Sequence, residues 1–429
     1  MTMKVAGIIA EYNPFHKGHE FHIRKTKELT SADYVVVALS GDFLQRGEPS
    51  VMSKYIRTRQ ALAGGADLVL ELPALYATAS ASLFAWGGIS LLDRLGVTDT
   101  VSFGCEETDP GLLKGIAGIL SEEPADYKQV LNDGLKKGLS FPAAREAALV
   151  SCWKGDKADP EKISKVMSGS NNILALEYLK ALKDTGSSME PLMIERAGDG
   201  YNEGISGSGF ASASGIRERL LQFFLGGEGS DGSAAIDPVR DHIPAWEAEM
   251  MEEMWGREFP ISSDDLIYLI GEKIRHDKLT GADFMRYSDM TEELANRLSD
   301  LPVTWRSFDE VCKALKTKQY TYSRISRLLI HILLDITDDL YEPEGPGYAR
   351  VLGFRESASP LVKEIRERSA IPVITKPSEA EDLLSGKALE AFRRDVYASE
   401  LYEDRVGAKF RKSSNSRFNE YKQNLIIER

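Results

Sequence analysis

The sequence predicts an α/β fold, a parallel sheet covered by helices on both faces, followed by a mainly helical C-terminal part. Three observations carry that expectation. The first hundred residues hold four apolar runs without strict alternation, the pattern of strands buried on both faces. Segments of helical period separate those runs. Between residues 238 and 340 the apolar period is helical throughout.

The elements follow in order. "VAGIIA" (5–10) is the first buried strand, and residues 18 to 29 have the period of a helix. "YVVVALS" (34–40) is the second strand, and "SKYIRTRQALAGG" is a helix closed by a glycine pair. "DLVLELP" is the third strand, "SASLFAWGGISLLDRLG" a helix, and "DTVSFG" (99–104) the fourth strand. Residues 110 to 185 are mostly helical, "PLMIER" (191–196) is a strand, and "SASGIRERLLQFFL" (212–225) is a helix with a serine-rich start. "GGEGSDGS" (226–233) has four Gly, two Ser and two acids, the composition of a linker. After the helical stretch, "ARVLGFRESASPLVKEIRERSAIPVITK" gives a short strand, helix, strand pattern, and the last 50 residues are charged and helical. At 429 residues two or three domains are expected. The divisions fall at 1–225, a linker at 226–237, and 238–429.

Composition excludes several classes. No apolar run reaches the ~18 residues of a membrane span, and the start "MTMKVAGIIAEYNP" has the pattern of a strand, not of a signal peptide. Three cysteines, Cys105, Cys152 and Cys312, lie too far apart for a disulfide framework or a metal knuckle, which points to the cytoplasm. With 53 basic and 66 acidic residues the net charge is −13, so the surface as a whole does not attract nucleic acid. A local basic patch remains compatible with that balance.

The chemistry concentrates in "EYNPFHKGH" (11–19), at the end of the first strand. Three of the six histidines, His16, His19 and His22, lie between residues 16 and 22, two of them in this stretch. In a parallel sheet ligands sit outside the carboxyl ends of the strands. Pro14 stiffens the exit, Gly18 permits close backbone approach, and His19 stands in the first turn of a helix whose free N–H groups attract anions. Two imidazoles at that position suit a polyphosphate and can donate hydrogen bonds to oxygens that gain charge in a transition state. Zinc ligation by the three histidines is the competing chemistry, but no carboxylate or cysteine completes an obvious set. Ordinary surface histidines would leave the Pro and Gly context a coincidence.

"FHKGH" after a first strand resembles the HxGH signature of the nucleotidyltransferases, enzymes that adenylylate substrates with ATP. Further segments extend the likeness: "SGDFLQRGEPSVMSKYIRTRQALAGGADLVLELP", "SFGCEE", "NNILALEYLKAL", "FASASGIRERL", "KTKQYTYSRISRLLIHILL" and "RVLGF". In that order they resemble the bacterial tRNA(Met) cytidine acetate ligase family over most of the chain. The resemblance implies a Rossmann-like nucleotidyltransferase core that activates acetate with ATP as acetyladenylate. It then acetylates N4 of the wobble cytidine of elongator tRNA(Met), releasing AMP and pyrophosphate. ATP is a co-substrate accompanied by Mg2+, and no protein metal site is expected. Nothing in the sequence looks like an acetyl-CoA loop, so acetate is the expected acyl source. A small-molecule adenylyltransferase is the alternative, but such enzymes are commonly about one domain long. A third reading, a non-catalytic RNA-binding protein on a nucleotide fold, is disfavoured by the histidines and by the Ser/Arg helix start.

The resemblance also implies site residues. His16, His19 and Lys54 are expected to be catalytic. The run Ile9, Ala10, Glu11, Tyr12, Asn13, Pro14 and Phe15, with Lys17, Gly18 and His22, is expected to contact ATP. Gly104 at the fourth strand end would let adenine or ribose lie against the backbone, although a plain strand-end glycine explains it as well. Asn172 is expected at the nucleotide, with Asn171 as a helix cap. Arg196, at a strand end on the same rim, is a candidate for phosphate or carboxylate. Ser212, Ser214 and Arg217 resemble the second phosphate motif. An arginine so near a helix start is disfavoured by the dipole unless an anion offsets it. Gln45, Arg46, Glu48 and Arg57 crowd the loop and helix after the second strand, where Lys54 and Arg57 share a helical face. Asp42 and the "YNE" at 201–203 depart from the family pattern, which bears on the acyl acceptor more than on ATP.

Two basic stretches interrupt the acidic trend. "KTKQYTYSRISR" (316–327) carries Lys316, Lys318, Arg324 and Arg327 with Tyr320 and Tyr322 between them. "RVGAKFRKSSNSRFNEYKQ" (405–423) carries Arg411 and Lys412 among six basic residues, with Phe410, Phe418 and Tyr421 interleaved. Such stretches suit phosphate tracking and base stacking, so the C-terminal part is expected to hold tRNA. The sequence does not indicate an oligomeric state.

Overall fold

The four apolar runs are the parallel centre of one sheet. In the computed structural model, which describes residues 3–153, 160–196, 212–226, 231–410 and 418–429, they are β1 (Val5–Ala10), β2 (Tyr34–Ser40), β5 (Leu68–Leu72) and β6 (Thr100–Cys105). A short antiparallel hairpin, β3 (Phe43–Leu44) and β4 (Glu48–Pro49), stands between β2 and β5 and turns at Gly47, whose φ is +74°. β7 (Glu190–Glu195) pairs parallel with β6. Most residues of these strands are buried, which is why no polar alternation marks them. The order runs β5-β2-β1-β6-β7, so the chain winds outward in opposite directions from β1. That reversal opens a crevice beside the end of β1.

The expected helices are present. α1 (Lys17–Thr30) is capped by His16, and α2 (Lys54–Ala63) begins after Ser53, whose hydroxyl caps it. Among the described residues between 110 and 185 there are five helices, and Ala213–Leu225 begins after Ser212. The C-terminal part is mainly helical, from Ala245–Met254 to Tyr322–Leu334 and Gly386–Phe410.

Two findings change the expected division of the chain. The linker at 226–237 is not a spacer in its second half. Gly232–Ile236 is helical, capped by Asp231, and continues into a 3-10 turn at Asp237–His242. Ala235, Ile236 and Val239 are buried against Val51, Met52, Ile56, Ile216 and Leu220. The polar composition belongs to the cap and surface, while the few apolar residues are the ones that pack. The sheet also crosses the boundary. β8 (Ala349–Arg355) adds antiparallel to β5, with β9 (Val373–Ile374) and β10 (Ile426–Glu428) parallel beside it. A residue count could not reveal that the last strands return to the first sheet.

This closure buries an ion cluster. Lys54 Nζ lies 2.7 Å from Glu71 and 2.7 Å from Glu420, and Arg350 lies 3.0 Å from Glu71 and 2.6 Å from Glu420. All four side chains are at most 2% exposed. Two positive and two negative charges balance, and Tyr55 donates a further hydrogen bond to Glu420 at 2.9 Å. Burial and Arg350 press the Lys54 pKa down, but Glu420 and Glu71 outweigh them, so it moves up.

Candidate active site

At the end of β1 the chain turns through Tyr12, which has a left-handed φ of 47°. Arg57 holds this turn from beneath. Its guanidinium donates to the carbonyls of Glu11 (2.7 Å), Ser40 (2.9 Å), Gly41 and Met52 (3.1 Å). Phe15 is fully buried against Gly64, where a Cβ would stand 2.2 Å from the Phe15 ring. Glycine at the end of α2 therefore leaves room for the base of the histidine turn.

The rings of His16 and His19 stack with centroids 3.7 Å apart and an interplanar angle of 23°. His16 Nδ1 accepts the Gly18 N–H at 3.0 Å. In the neutral ring the proton then sits on Nε2. That atom and His19 Nδ1 are buried without a hydrogen-bond partner among the described residues. Burial, then Arg196 and His242, push the His16 pKa down to about 3. His19 is lowered as well, by burial first and then by His16. Both rings are neutral at physiological pH and offer N–H donors, not charge.

These histidines line a cavity of about 420 Å³, within the range of small-molecule sites. The start of helix Ala213–Leu225 lines the same cavity. Ser212 accepts the Gly215 N–H at 3.2 Å, and Arg217 donates to the Asn13 carbonyl (2.8 Å) and Glu48 (2.9 Å). Glu48 thus supplies part of the negative charge that offsets Arg217 at its helix start. On the β6 and β7 side, Gly104 lies against Arg196, and a Cβ there would stand 3.0 Å from Arg196 Cγ. Arg196 donates to Asn171 Oδ1. Phe84, Phe103, Leu174 and Tyr178 supply apolar wall. A cavity with two neutral N–H donors, a helix start and two guanidiniums fits a polyphosphate joined to an aromatic base.

A family model described as HIGH Nucleotidyl Transferase matches residues 3–417. A protein of Thermoanaerobacter sp. strain X514 named tRNA(Met) cytidine acetate ligase is 39% identical, over 93% of this chain and 95% of its own. One of the same name from Acetivibrio thermocellus is 38% identical over 99% of this chain and all of its own. The apo crystal structure of Thermotoga maritima TmcAL superposes with a TM-score of 0.88 at 30% identity, covering both chains fully. The chain belongs to the tRNA(Met) cytidine acetate ligase family. Another structure of the Thermotoga protein, bound with alpha-thio ATP, gives a TM-score of 0.86 at 30% identity and the same coverage.

Most residues that the family resemblance implied meet in the cavity: Ile9, Ala10, Glu11, Tyr12, Asn13, His16, Gly18, His19, His22, Gly104, Arg196, Ser212, Ser214 and Arg217 all line it. Several do not. Lys54 is held in the ion cluster and does not line the cavity, because its helical face turns to the core. Arg57, on the same face, is spent on backbone carbonyls. Pro14 is buried, Phe15 packs under the turn, and Lys17 donates to the Asp241 carbonyl at 2.7 Å. Neither asparagine caps the helix, whose N-cap is Gly169. Asn172 Oδ1 accepts the N–H groups of Glu106 (2.9 Å) and Glu107 (3.0 Å), while Asn171 lines the cavity. His22 Nε2 is engaged by Ser102 at 2.9 Å, so its ring is committed to the sheet. Among the described residues no group of three or more His, Cys, Asp or Glu side chains could hold a metal. "YNE" at 201–203 lies outside the described residues.

The basic stretches are corrected more deeply. Arg327 is buried and pairs with Asp289 at 2.8 Å, and Arg324 donates to the Asp289 carbonyl at 3.2 Å. Tyr320 is 8% exposed and hydrogen-bonded to Thr291 and Glu293. Lys316 and Lys318 remain exposed, on a shallow recess with Lys313 and Thr321. Phe410 packs on Phe224, Phe418 on Tyr55 and Tyr421 on Phe392, so these rings serve the core. Arg411 and Lys412 lie outside the described residues.

Sequence reasoning missed the apolar wall and the 237–242 turn that sets His242 near His16. Phe84, Phe103 and Tyr178 have the spacing of core residues, and nothing in a linear pattern separates a cavity wall from a core.

Proposed function

We propose that the chain acetylates N4 of the wobble cytidine of elongator tRNA(Met) in two steps within the cytoplasm, activating acetate as acetyladenylate. The stacked, neutral His16–His19 pair in one cavity with Ser212 and Arg217 is the observation that carries this reading. In the first step an acetate oxygen attacks the α-phosphorus of ATP and pyrophosphate leaves. The His16 and His19 N–H groups and Arg217 stabilise the charge that gathers on the phosphate oxygens, and a preorganised donor of this kind is worth ~10²–10³ in rate. Mg2+ accompanying ATP as part of the substrate would supply neutralisation of phosphate charge. Gly104, Asn171 and Arg196 hold the adenosine side.

Activation is needed because acetate has a poor leaving group, while AMP is a good one. In the second step the cytosine amine attacks the acyl carbon and AMP departs. The wobble base lies in a single-stranded loop, so little pairing energy opposes its entry. Lys316 and Lys318 are the remaining candidates in 316–327 for tRNA phosphate.

The test is incubation with ATP, labelled acetate and tRNA, followed by digestion and detection of N4-acetylcytidine. Acetylation that proceeds with acetyl-CoA in the absence of ATP would refute the mechanism.

A further inference from the structure

We propose that the Glu11 carboxylate receives the exocyclic amine of the cytosine, holds it against the activated acyl group and takes its proton. The proposal rests on the two-step reading above.

Glu11 directly follows β1 and its side chain lines the cavity. Its position is fixed at two points. The main-chain carbonyl accepts from Arg57 at 2.7 Å, and Oε1 accepts the Gln45 N–H at 2.8 Å. Oε1 carries that hydrogen bond while the carboxylate lines the cavity, so the group is held in place at the cavity wall. Glu11 stands on the β2 side of the site, with Gln45 and the β3–β4 hairpin, while Gly104, Asn171 and Arg196 mark the β6–β7 side. Ser326, from helix Tyr322–Leu334, donates to the Gly47 carbonyl of that hairpin at 2.6 Å, so the C-terminal part reaches this side of the cavity.

A carboxylate is a poor neighbour for a triphosphate, because like charges repel. The second reaction, by contrast, brings a donor that needs an acceptor. A carboxylate accepting from N4 is the usual side-chain partner of cytosine. Tyr178 and Phe84 give the same cavity aromatic surface for a base.

The step balances. The N4 lone pair forms the bond to the acyl carbon. The bond from that carbon to the AMP oxygen breaks, and its electron pair leaves on the phosphate. The N4 proton passes to Glu11 and from there to solvent. The groups facing Glu11 are Arg46 and Glu48 of the hairpin, Arg217 of helix Ala213–Leu225 and Tyr178 of helix Ser170–Thr185. Burial raises the Glu11 pKa, with Glu48 adding to it, against the Gln45 N–H, Arg217 and Arg46. The net direction is up, toward a better base.

Glu11→Gln keeps an oxygen for the Gln45 N–H and removes the base. Acetate-dependent exchange of pyrophosphate into ATP reads the first step, and single-turnover transfer from preformed acetyladenylate to tRNA reads the second. We expect transfer to fall by about 10²–10⁴-fold, the worth of a general base, and by at least tenfold more than exchange. The acid limb of the wild-type transfer-against-pH profile should vanish in Glu11→Gln, and Glu11→Asp should restore part of the rate. Equal losses in both steps, or a loss confined to exchange, would mean that Glu11 serves ATP, for example its ribose hydroxyls. Unchanged transfer, or an acid limb that persists in Glu11→Gln, overturns the proposal too. Wild-type protein that shows no acetate-dependent exchange would overturn the two-step reading itself, and this proposal with it.

Discussion

His16 donates through Nε2 because Gly18 occupies its other nitrogen, and burial keeps the ring neutral. His19→Ala should therefore lower acetate-dependent pyrophosphate release by about 10²–10³-fold. ATP affinity, measured by equilibrium binding, should change less, since the donor acts on charge that develops only in the transition state. Neutrality has a second consequence. The pKa values of His16 and His22 fall from 6.5 to about 3 and about 4, for each by burial first and then by Arg196. Below about pH 6.5 the unfolded chain binds these protons and the native chain does not, so stability falls as the pH falls. Between pH 6.5 and 4 each histidine contributes up to about 1.4 kcal/mol per pH unit to that slope. Urea unfolding at pH 7, 6 and 5 should show it, and His22→Gln should flatten it by about one proton. At this scale the sequence was legible where polar residues cluster. "EYNPFHKGH" names most of one wall because chemistry there needs residue types that a core does not. Phe84 and Tyr178 were illegible because an apolar wall and an apolar core use the same residues.

Helix α2 shows what spacing can and cannot say. Lys54 and Arg57 do share a face, but that face turns inward. Arg57 braces the turn beneath the histidines, and Lys54 joins Glu71, Arg350 and Glu420. A charge on a helix is read as solvated or functional unless its buried partners are known, and here two of those partners come from the far end of the chain. Removing one member of a balanced buried cluster strands the others, which costs about 3–5 kcal/mol. Lys54→Ala should lose stability on that scale in urea unfolding at pH 7. The basic stretch at 316–327 carries the same lesson. Arg327 has the composition of an RNA contact and is spent on Asp289. Lys316 and Lys318 differ from it: Lys316 caps the end of helix Phe308–Leu315, Lys318 follows two residues later, and both side chains are exposed.

At the scale of the whole molecule, the expected break near residue 226 is a change of composition and not a boundary of the core. β5 would be an edge strand in residues 1–225 alone, with Val69 and Leu70 losing their pairing to β8. Such an apolar edge pairs with other chains unless it is covered. In the same fragment Lys54 and Glu71 would lose Arg350 and Glu420, and Val51, Met52 and Ile56 would lose Ile236, Val239, Trp255 and Phe259. The His turn would suffer too, because Phe15 packs on Trp246 with ring centroids 5.6 Å apart and Lys17 holds the Asp241 carbonyl. A fragment ending at residue 225 should therefore aggregate or melt without a cooperative transition, whereas the full chain should unfold its sheet in one step. Thermal melts followed by circular dichroism, with light scattering on the same samples, distinguish the two. A soluble fragment with a sharp transition and acetate-dependent pyrophosphate exchange would show that the first 225 residues need none of these contacts.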